Sequence, residues 1–313
     1  MSKQLFFIKF PIFFPLIYGF ILYFFPQYET ALIFITILLL AETHFGATWP
    51  FFLLNSNYEN IKNDKLKLFI LPMLIVIFSL LGFFLVKSFF LMIFFAANVY
   101  HVTRQSFGVC KLYCKEVNEI KYQENFIYFF NSLFFIIAFF RFYIPIITED
   151  KLLMLNIAVL LLFSLVSFIY IAKYKFTEKF LTFVTGCIIF FPVCFVDNPV
   201  HSIIMGVTMH YTQYLYLTHH VVKERSISTN MQIGQKIGMG KFFYKFAIII
   251  FLYSIVMTGF SLFGKSSEVY LQNLIILPIL GQMLHFYLDS QLWKFSKQYN
   301  RDNVLKYILK IIK

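Results

Sequence analysis

Long apolar runs, parted by short polar breaks, follow one another along the whole chain. A helix that crosses a bilayer needs about 20 consecutive, mostly apolar residues. About ten runs approach that length, over 5–26, 30–54, 67–87, 89–112, 126–147, 151–172, 180–197, 200–222, 242–264 and 269–292. The breaks carry turn-forming and charged residues, as in Pro26-Gln27-Tyr28-Glu29, Thr148-Glu149-Asp150 and Asp197-Asn198-Pro199. Between the third and fourth runs only Lys87 and Ser88 intervene. Of the 313 residues, 60% are hydrophobic, 13% are charged and 45 are phenylalanine. One compact core of this size cannot hide so much apolar surface, so an ordinary soluble globular fold is excluded. The sequence predicts an all-α, polytopic membrane helix bundle of about ten transmembrane helices over 1–293, with a short basic amphipathic tail over 294–313.

Charge gives an independent test, because basic residues concentrate in loops on the cytoplasmic side. Most of the 27 basic residues fall in alternate segments: Lys3 and Lys9; Lys62, Lys65 and Lys67; Lys111, Lys115 and Lys121; Lys173, Lys175 and Lys179; the 223–245 region; and the tail. The intervening loops hold only Lys87, Lys151 and Lys265. Both termini are therefore expected in the cytoplasm. The net charge of +12 reads as topology and as affinity for anionic lipid headgroups. It is too dispersed for a nucleic-acid-binding patch. No small-residue cleavage site follows the first run, which is expected to remain as a helix. The glycine-bearing loop over 223–241 is expected to be flexible. Cys110, Cys114, Cys187 and Cys194 form neither a disulfide framework nor a good zinc set, and are expected to pack.

Ionisable groups inside a bilayer are costly, so their positions carry the functional signal. Six of the seven histidines lie within the apolar runs, all on even-numbered ones: His44, His101, His210, His219, His220 and His285. Counted from the outer ends, His44, His101, His210 and His285 fall at depths of about 15 to 24 Å at 1.5 Å per residue. Four helices can thus supply four imidazoles to one layer. His220 is a reserve ligand nearer the cytoplasmic side. Helical spacing aligns His101 with Asn98, Arg104, Gln105 and Gly108, and His285 with Gln282 and Asp289. His210 aligns with Gln213 and Tyr214, and Thr48 lies one turn beyond His44. Glu42, two residues before His44, is expected on the opposite side unless the helix bends, where it could answer Arg104. Several imidazoles with a nearby carboxylate suit iron, copper or zinc. Asp289 is placed to orient His285, and Arg104 and Gln105 to stabilise negative charge.

The segment Glu42-Thr43-His44-Phe45-Gly46-Ala47-Thr48-Trp49 and the late His285-Phe286-Tyr287-Leu288-Asp289 resemble the histidine motifs of bacterial β-carotene-cleaving dioxygenases of the bacteriorhodopsin-related-protein type. The resemblance implies a polytopic membrane protein whose histidines hold a non-haem iron and split β-carotene at its central double bond into two retinals. His44 matches the family's His-Phe-Gly motif and His285 its His-x-x-x-Asp motif. His101 and one or more of His210, His219 and His220 follow by order. Thr48 and Trp49 stand where the family carries an aspartate. The paired histidines that the family places one turn apart are here spread between His210 and His219-His220. Similarity to membrane desaturases is limited to that doublet.

Together these features lead to an inner-membrane, Fe(II)-dependent oxygenase that takes dioxygen and a lipophilic substrate, a carotenoid or other isoprenoid. His44, His101, His210 and His285, with His220 in reserve, are the expected metal ligands. Arg104, Gln105 and Asp289 are the expected catalytic groups. Two alternatives stay open: a transporter with a buried histidine relay, and a b-type haem protein using two histidines axially.

Overall fold

A computed structural model describes residues 3–53, 64–232, 240–264 and 268–312. The fold is all-α, 88% helical, and no strand occurs among the described residues. In chain order the main helices are α1 (Phe13–Phe24), α2 (Glu29–Thr36), α3 (Glu42–Gly46), α4 (Leu71–Leu85), α5 (Lys87–Tyr113), α6 (Val117–Ala138) and α7 (Glu149–Tyr174). They continue as α8 (Glu178–Ile188), α9 (Pro199–Gln232), α10 (Gly240–Phe263), α11 (Ile276–Leu292) and α12 (Lys306–Ile312).

Among the described residues five helical stretches are long and apolar enough to cross a membrane: Pro26–Phe52, Leu66–Leu85, Val117–Tyr143, Asp150–Tyr174 and Tyr244–Phe263. The other expected spans coincide with helices that are short, such as α1 and α8, or rich in polar residues, such as α5 and α9. A break at Val86 does divide the third run from the fourth. α9 continues to Gln232, ten residues past its expected end at 222. The centre of the loop expected to be flexible, 233–239, lies outside the described residues.

The chain divides into two compact units, Met1–Ile33 with Val99–Gln213, and Phe34–Asn98 with Tyr214–Lys313. In the first unit α8 packs along α6. Asn131 donates its side-chain amide to the carbonyls of Ile127 and Gly186, both at 2.9 Å. The rings of Tyr170 and Phe183 stack at 4.8 Å, and the Tyr170 hydroxyl donates to Glu119, which also accepts from Lys179. Arg141 caps the carbonyls of Val193 and Val196 at 2.7 and 2.9 Å. The histidine left outside the apolar layer, His201, bridges Tyr18 and Glu29 through its two ring nitrogens, each at 2.7 Å. α9 makes its closest approach at Gly206, where an added Cβ would lie 1.9 Å from the Ile189 carbonyl oxygen.

In the second unit the helical path from Glu29 widens into one π-helical turn over Ile37–Ala41 before α3 resumes. Such turns recur at functional sites. Ser254 on α10 donates to the Leu38 carbonyl inside that turn, and Thr43 donates back to Leu39 and Leu40. Two glycines admit the Tyr253 ring: a Cβ on Gly46 would stand 2.9 Å from it, and one on Gly281 2.3 Å from its hydroxyl. Phe83, Phe90, Ile276 and Ile279 form a buried cluster joining α4, the start of α5 and α11. The segment expected as an amphipathic tail buries Val304, Ile308 and Ile311 within this unit. It is pinned by Lys297 to Asp64 and by Lys310 to Glu224, both at 2.9 Å.

Two predictions follow from this packing. Gly206→Ala drives a methyl into backbone that cannot yield and should destabilise the first unit by about 1–3 kcal/mol or more. Gly108→Ala, with open space around the new carbon, should be tolerated; thermal unfolding of the two detergent-purified variants checks the contrast. The ammonium donors of Lys297 and Lys310 hold Asp64 and Glu224 below the ordinary carboxylate range. A depressed carboxylate contributes its stability above its unfolded pKa and loses it as pH falls. These pairs are partly exposed and worth under about 1 kcal/mol each. Hydrogen exchange over 294–312, corrected for intrinsic rates, should therefore show less protection at pH 3.5 than at pH 6.

Candidate metal centre

His44 sits on α3, the helix that the π turn delivers, and His285 sits in the middle of α11. α3 and α11 run alongside each other in the second unit in matching register. Gln282 donates its amide to Glu42 at 3.3 Å, and one step further the rings of His44 and His285 meet edge to face with centroids 4.5 Å apart. Both histidines are fully buried. The aromatic walls are Phe45, with its ring centroid 5.1 Å from His285, and Tyr214, 4.3 Å from His44. His101 completes the group: His44, His101 and His285 each offer one imidazole nitrogen, all within 4.8 Å of one another, and all are buried.

Of the expected ligands, these are the three that come together among the described residues. His210, on α9, stands next to His101 in the first unit, with ring centroids 5.4 Å apart and planes nearly perpendicular. It is buried but is not a member of the three-histidine group. His220 lies more than two turns further along α9, half-buried and close enough to Glu224 and Lys310 to feel their charges. The expected charge-stabilising pair separates, with Arg104 exposed and Gln105 half-buried. Arg104 shares the helix side of His101 by its spacing, yet its side chain is exposed. The carboxylate expected to answer it, Glu42, is instead buried against Gln282.

Asp289, expected to orient His285, is buried. Its carboxylate accepts from the indole nitrogen of Trp293. The atom at His285 Nδ1 is the Thr48 hydroxyl, at 2.8 Å. Thr48 in turn meets the Tyr214 hydroxyl at 2.6 Å. The spacing places Thr48 one turn beyond His44 and Tyr214 one turn beyond His210, but offers no sign that both belong to the surroundings of His285. Trp293, one turn past Asp289, was equally silent.

The donor set fits a transition-metal ion. Bond lengths of about 2.0–2.1 Å from metal to imidazole nitrogen place the nitrogens roughly 3–4 Å apart, within a small side-chain adjustment of the observed group. Neutral imidazoles favour iron, copper or zinc over magnesium or calcium. The group contains no thiolate or carboxylate. Three protein ligands leave further coordination positions for exogenous molecules.

Comparison of the chain with protein-family models, with curated proteins and with solved structures finds no match. The reading of the site therefore rests on its own chemistry.

If the group holds a metal, His44→Ala and His285→Ala should each lower metal occupancy at least tenfold, while His220→Ala leaves it at the wild-type level. Elemental analysis of the purified variants after equal metal exposure checks this.

Proposed function

We propose that this chain is an integral membrane metalloenzyme, an Fe(II)-dependent oxygenase that acts with dioxygen on a lipophilic substrate of the carotenoid or wider isoprenoid class. The observation that carries the reading is the buried trio His44, His101 and His285. Apolar helices long enough to span a bilayer support placement in a membrane, here the bacterial cytoplasmic membrane. A substrate dissolved in that membrane reaches a buried centre without passing through water. Membrane lipids are then the protein's constant partners, held at the basic segments.

Bound iron supplies the activation of dioxygen. The protein's own contributions can be stated residue by residue. His44, His101 and His285 bind the ion through neutral nitrogens. Phe45 and Tyr214 wall the His44–His285 pair with aromatic surface, and the burial of all three imidazoles keeps water from the reacting region. The resemblance of the His44-Phe45-Gly46 and His285-x-x-x-Asp289 segments to carotene-cleaving dioxygenases favours oxidative cleavage of a polyene as the reaction class. His210 lies beside His101 and serves either as a further ligand or as a support for that ring.

The test is elemental analysis and an absorption spectrum of the full-length protein in detergent, beside His101→Ala. Iron near one or two atoms per chain, no Soret band, and loss in the variant are expected. Incubation with a carotenoid under labelled dioxygen should then give a cleaved aldehyde carrying the label. A wild-type protein that takes up no iron after anaerobic loading would sink the proposal and leave the histidines as relay groups of a transporter.

A further inference from the structure

In the second unit, where α3, α10 and α11 pack together, Glu42 Oε2, the Tyr253 hydroxyl and Trp49 Nε1 are buried and have no hydrogen-bonding partner among the described residues. Glu42 is only 1% exposed. Gln282 on α11 donates to its other oxygen, which fixes the carboxyl at the junction and leaves Oε2 over. Tyr253, on α10, runs between the two neighbouring helices. Its ring lies against Gly46, one turn after Glu42, and its hydroxyl lies against Gly281, the residue before Gln282. The hydroxyl therefore sits at the level of the Glu42–Gln282 pair. The ring of Trp49 meets that of Tyr253 with centroids 6.5 Å apart. Packing accounts for the two rings, but not for the polar atoms they carry, because a buried polar group without a partner is costly and rare.

These atoms select the chemistry of a ligand. An indole nitrogen only donates, a carboxyl oxygen accepts, and a phenol does either. An ammonium group has donors alone and leaves Trp49 unanswered. A ketone has acceptors alone and leaves the Glu42 oxygen unanswered. A hydroxyl donates once and accepts twice, and so answers Glu42, Trp49 and Tyr253 together.

We propose that Glu42, Tyr253 and Trp49 bind a hydroxyl group of the substrate, which makes that substrate an isoprenoid alcohol and not a hydrocarbon. The isoprenoid part rests on the substrate class proposed above; the hydroxyl site does not. Its place in the fold gives it a purpose. The Glu42–Gln282 contact is the rung next to the His44–His285 pair, three residues away along α11, or about 4.5 Å of helical rise. A hydroxyl held there anchors a long apolar molecule by a polar end beside two of the three grouped histidines. The remainder of such a molecule asks only for apolar walls, the usual make-up of a ligand site with a few placed polar groups.

The decisive experiment titrates the full chain in detergent with three polyenes of nearly equal length: zeaxanthin, which carries ring hydroxyls, β-carotene, which carries none, and canthaxanthin, which carries ring ketones. Binding is read from the shift of the polyene absorption band. Wild-type protein should bind zeaxanthin about tenfold or more tightly than either of the others, because a site built to hydrogen-bond a hydroxyl rejects the analogue that lacks it. Tyr253→Phe and Trp49→Phe each keep a ring and lose a hydrogen-bonding group; each should cut that preference about threefold or more while β-carotene affinity stays within about twofold. Equal affinity for zeaxanthin and β-carotene, as a site holding only water would give, overturns the proposal. So does canthaxanthin binding as tightly as zeaxanthin, a preference that survives both substitutions, or failure to bind any of the three. The titration is run on metal-free protein and again after anaerobic iron loading. A zeaxanthin preference in protein that takes up no iron leaves the hydroxyl site standing and defeats the oxygenase reading, whereas iron uptake without the preference does the reverse.

Discussion

A buried polar group without a hydrogen-bonding partner costs about 2–7 kcal/mol, and a buried charge costs more. Water does not reach the buried interior, so partners there must come from other parts of the chain. Several polar residues of the interior meet that demand. Glu119 is held by Tyr170 and Lys179, Asn131 by two carbonyls, Arg141 by two more, and His201 by a phenol and a carboxylate. Each such set ties together segments distant in sequence, and the packing of Phe and Ile side chains then fills the space that the polar contacts have fixed.

The three-histidine group is a particular case of the same constraint. His44, His101 and His285 each offer one ring nitrogen within 4.8 Å of the others, and a cation could be shared among them. Around His285 the polar contacts continue outward through Thr48 to Tyr214, and Asp289 is held separately by the Trp293 indole. The site thus needs side chains that no simple motif contains, and they enter from α9, α11 and the turn after α3.

The helical fold was legible because apolar run length and loop charge are local properties, readable a segment at a time. Even the narrow division at Lys87-Ser88 had a structural counterpart at Val86. Depth made the three-histidine group legible in part, since counting from helix ends placed His44, His101, His210 and His285 in one layer and three of these four form the group. The limit of that counting is visible at Arg104 and Glu42. Depth places both near the layer, but azimuth decides which side chains meet, and azimuth depends on how each helix is turned by its neighbours. Arg104 faces outward, while Glu42 finds Gln282. Thr48 and Tyr214 were hidden for a related reason. Neither is ionisable at neutral pH, so neither is conspicuous in an apolar helix, yet the contact between them can be made only after two distant helices have been set in register.

The π turn over Ile37–Ala41 bears on how such a site can change over time. A turn of this kind holds one residue more than an α-helical turn spanning the same rise, as though a single codon had been inserted into an ordinary helix. In an ordinary α-helix the loss of one residue rotates everything after it by about 100°. Between Ile37 and Ala41 the same loss would let the wide turn close to an α-helical one. Glu42, His44 and Thr48 would then keep nearly their present directions toward Gln282, His285 and Tyr214. This stretch of apolar helix therefore has a tolerance to single-residue loss that an unbroken α-helix lacks.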